Sequence, residues 1–161
     1  MKLLVVFFTT LFFLSSDLTS VRKQYLSAPD SSEVAEEFFK AVKDVKDDSS
    51  DNTLVAYKAA AYTLMAKHEK ALLKKKDLFT QGAKLLEAVI KRDPSNYEAR
   101  LLRLSIQENA PKITGYNKKI TEDKSFLIRN YKIQKADLKE YTKGFVKVSA
   151  SFNSEEKALF N

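Results

Sequence analysis

Arg100, Arg103 and Gln107 stand three and four residues apart within the stretch EARLLRLSIQENAP. On a helix that spacing puts all three on one ridge. Two guanidinium groups and an amide there could grip a carboxylate or a peptide backbone, with Tyr116 and Asn117 close behind in the chain. The same donors could instead serve the protein itself. Arg103 and Gln107 could hydrogen-bond the carbonyls of the loop 108–116 and fix its path, because loop backbone groups need partners. On that reading Arg100 is the more exposed residue and the better contact for a partner. A second set is Lys74, Lys75 and Lys76, three consecutive positive charges suited to an anionic surface.

Other chemistry finds little to work with. His68 is the single histidine, and position 72 is Leu, so the second histidine of a zinc-protease helix is missing. The chain has no cysteine, which removes thiol nucleophiles, thiolate zinc sites and iron–sulfur clusters. Gly82, Gly115 and Gly144 stand alone, so no glycine-rich loop cradles a phosphate. No serine lies in a nucleophile-elbow context. The acidic pairs Glu36/Glu37, Asp47/Asp48 and Glu155/Glu156 fall at helix caps or on polar faces. This inventory points away from an enzyme and implies no metal or cofactor.

The chain opens with MKLLVVFFTTLFFLSSD, where Lys2 precedes an uncharged run from Leu3 to Ser16. The apolar part, Leu3 to Leu14, would be about 18 Å long as a helix, too short for a bilayer core of about 30 Å. A positive start, a short apolar core and small polar residues fit an export signal over residues 1–20. The remainder, residues 21–161, is long enough for one domain with a sizeable core. Without disulfides, its stability must come from that core. Charge is uneven: residues 1–60 hold seven Lys and Arg against nine Asp and Glu, and residues 61–161 hold 21 against 12. An exported chain rarely meets nucleic acid, so a membrane surface or acidic polymer is the anionic partner this asymmetry suits.

Three glycines and three prolines are too few for a turn-rich β fold. Abundant Lys, Leu, Ala and Glu favour helices instead. Apolar residues recur at helical spacing throughout, as in Val34, Phe38, Val42 and Val45. The pattern predicts a frayed arm or short helix over 17–30, then helices over about 30–47, 53–73, 78–92, 97–107, 116–131 and 136–148. A last short helix opens on the Asn153/Glu156 capping spacing. KKKD (74–77) reads as a turn, Asp93-Pro94 as a stop, and Asn96 and Thr121 as caps. Gly82 and the run Ala59–Ala61 mark places where helices approach closely. The expected fold is all-α, an antiparallel array of about six helices.

Gly82, Leu86, Val89 and Pro94 resemble the second helix of a tetratricopeptide repeat. Ala66, Glu69, Lys70 and Leu73 do not match its first helix, and Arg100, Arg103 and Gln107 depart from the next repeat. One repeat-like joint is therefore embedded in a non-periodic helical array. A longer stretch, residues 54–127, resembles small exported bacterial helical proteins of unknown function, most strongly in EARLLRLSIQENAP and the GY at 115–116. Ile113 and Thr114 depart from that pattern, where a bulky apolar pair is expected. The resemblance implies an exported, tetratricopeptide-like helical domain and no activity.

The expected role is a non-enzymatic, exported adaptor of the cell envelope, periplasmic or secreted, that binds a protein or peptide. The alternative is a basic face that associates with anionic envelope lipid or polysaccharide. An enzyme acting on a small molecule ranks third.

Overall fold

The computed structural model describes residues 18–161. Among the described residues eight α-helices, rather than about six, follow one another: α1 (Leu18–Ser27), α2 (Ser32–Val42), α3 (Asn52–His68), α4 (Leu72–Arg92), α5 (Tyr97–Asn109), α6 (Ile120–Asn130), α7 (Ala136–Val148) and α8 (Ser154–Ala158). Short 3₁₀ turns at Ala28–Asp30 and Lys112–Thr114 complete the order, and no strand occurs among the described residues. No described helix is long and apolar enough to cross a membrane. Most of the expected export segment lies outside the described residues, while Leu18–Ser20 open α1. Far from fraying, α1 buries Val21, Arg22 and Tyr25.

Local chemistry sets most helix ends. Ser31 accepts a hydrogen bond from the Val34 N–H to start α2, and Asn96 accepts one from Ala99 to start α5. Asn153 and Glu156 form a reciprocal capping box on α8. Each satisfies donors that the first turn of a helix leaves unpaired. α4 stops at Arg92, two residues before Pro94, as the proline requires. The break between α3 and α4 falls earlier than the lysine run. The Glu69 carboxylate accepts from the Lys70 and Ala71 N–H groups and turns the chain there. Lys74, Lys75 and Lys76 therefore lie near the start of α4, not in a turn behind α3, and Asp77 continues the same helix. Thr121 is not a cap either; α6 begins at Ile120 after Lys119.

α3 is the buried centre. Val55, Ala56, Tyr57, Ala59, Ala60 and Ala61 are all fully covered. The small side chains let α4 come close: a Cβ at Gly82 would sit 2.6 Å from the Ala59 carbonyl oxygen and 2.8 Å from Thr63 Cγ2. Only glycine fits that crossing. Arg92 at the end of α4 binds Asn52 at the start of α3, so the pair is tied at one end. Tyr25, Phe38 and Tyr57 bring α1, α2 and α3 together, with ring centroids 5.9–6.3 Å apart. This spacing falls in the range where edge-to-face contacts add to burial.

α5 divides two cores. Ala99, Leu102 and Ile106 join the one built on α1 to α4. Tyr97, Leu101 and Leu104 join a second, completed by Leu127, Tyr131, Val146, Phe152 and Phe160. A helix with apolar residues on two faces leaves little solvent-facing surface, which decides where its charged residues must go.

Candidate functional site

Glu98, Arg103 and Gln107 of α5 are buried rather than turned to solvent. Glu98 receives two hydrogen bonds from Arg22 of α1, at 2.7 and 2.8 Å, and one from the Tyr57 hydroxyl of α3. Arg22 also reaches Asp137 of α7 at 2.7 Å. The hydrogen bond to Glu98 raises the Arg22 pKa against the opposing effect of burial. Ser105 meets the Tyr25 hydroxyl at 3.1 Å. Glu108 accepts from the Ser149 hydroxyl and from the Ser151 N–H, holding the link between α7 and α8.

The predicted ridge separates into different roles. Arg103 clasps Asp123 of α6 with two hydrogen bonds of 2.6 Å and reaches Glu87 of α4 at 2.8 Å. Its side chain is 3% exposed and that of Asp123 is 0% exposed. Burial disfavours the Arg103 charge, but Asp123 and Glu87 outweigh it and its pKa rises. Burial also pushes the Asp123 carboxyl up against the pull of Arg103 and Arg100. Both directions express one fact: this pair is dry and mutually dependent.

Arg100 is not the exposed member. Its guanidinium lies 4.4 Å from the Phe126 ring centroid and donates to the Pro94 carbonyl, Glu122 and Asp123. It is committed to holding α6, which displaces it as a free contact for a partner. Nor do Arg103 and Gln107 serve the carbonyls of the 108–116 loop. That loop bonds itself: Thr114 and Gly115 donate to Pro111 and Lys112, and the Thr114 hydroxyl accepts from Tyr116. Gly115 adopts φ +64°, the left-handed conformation that ends the 3₁₀ turn. Ile113 points outward at 96% exposure, so the loop has no apolar pair to pack.

Gln107 accepts from the Lys119 N–H at 2.9 Å, next to the start of α6. The Tyr116 hydroxyl donates to Glu87 at 2.8 Å, and its ring meets Phe79 edge-on. Glu87, Gln107, Gly115, Tyr116, Lys118 and Lys119 line an open cleft of about 210 Å³. Asn117 is exposed and takes no part in the lining. A second, apolar hollow of about 90 Å³ lies among Tyr25, Leu101, Tyr141 and Phe145. The lysine set is placed otherwise: Lys74 pairs with Glu69 at 2.8 Å, and Lys75 and Lys76 follow along the exposed start of α4. His68 sets its ring nitrogen 3.2 Å from the Ala28 carbonyl oxygen, a contact between α3 and the turn after α1.

Sequence reasoning missed Glu98, Arg22 and Asp123. Their signal was position rather than residue type. Asp123 falls in register with Ile120, Leu127 and Tyr131, and Arg22 with Leu18, Val21 and Tyr25. A charge on an apolar stripe calls for a buried partner.

Acid should loosen this arrangement. The Glu122 carboxyl is lowered from 4.5 to about 2, first by the Lys119 hydrogen bond and further by Arg100, against a burial effect of opposite sign. A carboxyl held lower in the folded chain stabilises fully above its unfolded value, and that contribution is lost as pH falls from 4.5 through about 2. Melting temperatures between pH 6 and roughly pH 2 should therefore decline below about pH 4.5, and Glu122→Gln should flatten the decline. An unchanged acid limb in that variant would remove Glu122 from the account.

Against this geometry, comparison with known proteins is negative throughout: no protein-family model, curated protein or solved structure matches the chain.

Proposed function

We propose that this chain is an exported, non-enzymatic helical adaptor of the cell envelope that holds a protein or peptide partner. The observation that carries the reading is the cleft beside Tyr116, a concave surface bounded by polar groups on a framework whose arginines are already committed to internal ties. A scaffold whose charged groups are tied up around a shaped recess suits binding better than turnover, because a catalytic site needs groups free to exchange protons or electrons. The joint of α4 and α5 supports a tetratricopeptide-like hairpin, with Gly82 at the close crossing, Leu86 and Val89 buried and Pro94 at the turn. Such hairpins bind through shape, and the antiparallel array remains part of this proposal. Export rests on the apolar opening of the chain.

A second reading has its own observation. Leu72 and Leu73 are 77% and 78% exposed at the start of α4, directly before Lys74, Lys75 and Lys76. Adjacent apolar and basic residues are the combination that attaches a protein to an anionic lipid surface.

The two readings separate in one experiment. The immobilised chain is presented with envelope protein and, in parallel, with phosphatidylglycerol vesicles, at low and physiological salt. The adaptor should retain a defined protein at both salt concentrations, and Lys74, Lys75 and Lys76 changed together to Gln should not matter. A surface binder should hold vesicles, release them steeply as salt rises, and fail after Leu72→Ser with Leu73→Ser. Retention of vesicles alone would overturn the adaptor.

A further inference from the structure

We propose that the outer face of α7 is a docking surface for an acidic helix of a partner protein. This rests on the adaptor reading and gives the partner a chemistry. The face shares no residue with the cleft beside Tyr116.

Lys135 sits at the N-cap of α7, and Lys139, Lys143 and Lys147 follow at four-residue intervals. That interval sets them in one slanting row, rising about 6 Å at each step. Thr142 and Val146 are buried beneath, whereas Lys135, Lys143 and Lys147 are exposed and Lys139 is half-buried. Like charges four residues apart repel, and a cation at a helix start opposes the helix dipole. Neighbouring acids do not relieve this. Asp137 holds Arg22 at 2.7 Å, and Glu156 holds Lys124 at 2.7 Å. Glu140 is the one remaining acid on α7, a single negative charge beside four positive ones. Lys157 donates to the Lys147 carbonyl at 3.1 Å and adds a further positive charge at the far end. The row is a line of positive charge unmatched among the described residues. A helix bearing Glu or Asp at every fourth position repeats its carboxylates at the same rise and complements it.

Gly144 identifies the occupant as a helix. A glycine in a helix interior is costly relative to alanine, so its presence calls for a reason. At Gly82 the reason is internal, because α4 crosses α3 there with no room for a Cβ. At Gly144 the described residues supply none: its φ is not positive, and a Cβ would meet no atom within 4 Å. A second helix laid across the face would use that missing side chain, as α3 does at Gly82. Ala136, Glu140, Gly144 and Val148 form a strip beside the lysines, about 18 Å long. Val148, at its end, is 81% exposed and offers the incoming helix an apolar contact. Glu140 repels acids from the strip and confines them to the lysine side. A linear polysaccharide would engage the lysines but leave Gly144 and Val148 idle. A lipid surface calls for bulky apolar residues at the centre of the face, where Glu140 and Gly144 stand.

The test titrates the isotope-labelled full chain with a capped peptide of Glu-Ala-Ala-Gln repeats, about 16 residues long and able as a helix to span the strip. Its counterparts are the same peptide with Gln for every Glu, an alginate oligomer of matching length, and phosphatidylglycerol vesicles. The acidic peptide should shift the backbone amide resonances of Gly144 and Val148, and the Gln peptide should bind about tenfold more weakly or worse. Lys139, Lys143 and Lys147 changed together to Gln should weaken the acidic peptide to the same degree. Gly144→Leu puts a side chain where the fold has room for it and replaces a poor helix former by a good one. It should raise the melting temperature yet weaken the acidic peptide about tenfold, by holding the two helices apart. Absence of shifts on α7, equal binding of the two peptides, or unchanged binding by the Gly144→Leu chain would overturn the proposal. So would alginate or vesicles that occupy the face as tightly as the acidic peptide. If the peptide fails while the chain still retains a defined envelope protein, this surface falls and the adaptor stands; if retention fails as well, both fall.

Discussion

Arg103→Ala is expected to destabilise the domain by about 3–5 kcal/mol in urea denaturation, because removing one member of a buried ion pair strands the other. Asp123 is fully enclosed, and its remaining charged partner would be Arg100 at 3.1 Å. The pairing itself is a different quantity from the damage done by breaking it. Replacing both partners together by Arg103→Met and Asp123→Leu should recover much of the loss, since apolar groups of similar volume do not need the desolvation repaid. Gln107→Ala, which removes one acceptor for the Lys119 N–H, should cost less, about 1–3 kcal/mol. A loss below about 1 kcal/mol for Arg103→Ala would show that Asp123 is rescued by water or neutralised, and that the tie between α5 and α6 is weak.

Glu98→Ala should be of comparable size, about 3–5 kcal/mol, for a related reason on the opposite side of α5. It removes the acceptor shared by Arg22 and the Tyr57 hydroxyl. Asp137 would remain for Arg22, but that carboxylate is 54% exposed and holds only one of the guanidinium nitrogens. Glu98→Gln keeps an acceptor without the charge and should fall between wild type and alanine. Glu37→Ala, on the exposed side of α2, should stay within about 0.5 kcal/mol and serves as the control. Equal midpoints for Glu98→Ala and the control would mean that α1 is held by its apolar residues alone.

Chain ends of helices were legible where the signal is a neighbour in sequence. Asn96, Asn153 and Pro94 act within three residues of themselves, so their meaning does not depend on the rest of the fold. Glu69 defeated the same reading, because its side chain reaches forward to two N–H groups without a glycine or proline to mark the break. The ridge was legible as a spacing and illegible as a function. Nothing local tells Arg103 that its acceptor sits 20 residues ahead on α6, or Arg22 that its own lies 76 residues ahead. Charged side chains on a helix ordinarily face water, and that expectation holds for Lys76 and fails for Arg103 and Glu98. Gln107 and Tyr116 did come together at one cleft, and the arginines of the ridge did not join them as open contacts.

Arg22 also imposes an order of events. Its two acceptors, Glu98 and Asp137, lie 76 and 115 residues further along the chain. While the polypeptide is being made, α1 can collapse onto α2 and α3 through Val21 and Tyr25, yet its guanidinium has no permanent partner until α5 is present. Closing such distant contacts is slow compared with forming a helix. The charged tie of α1 is therefore completed only when α5, and then α7, has been made.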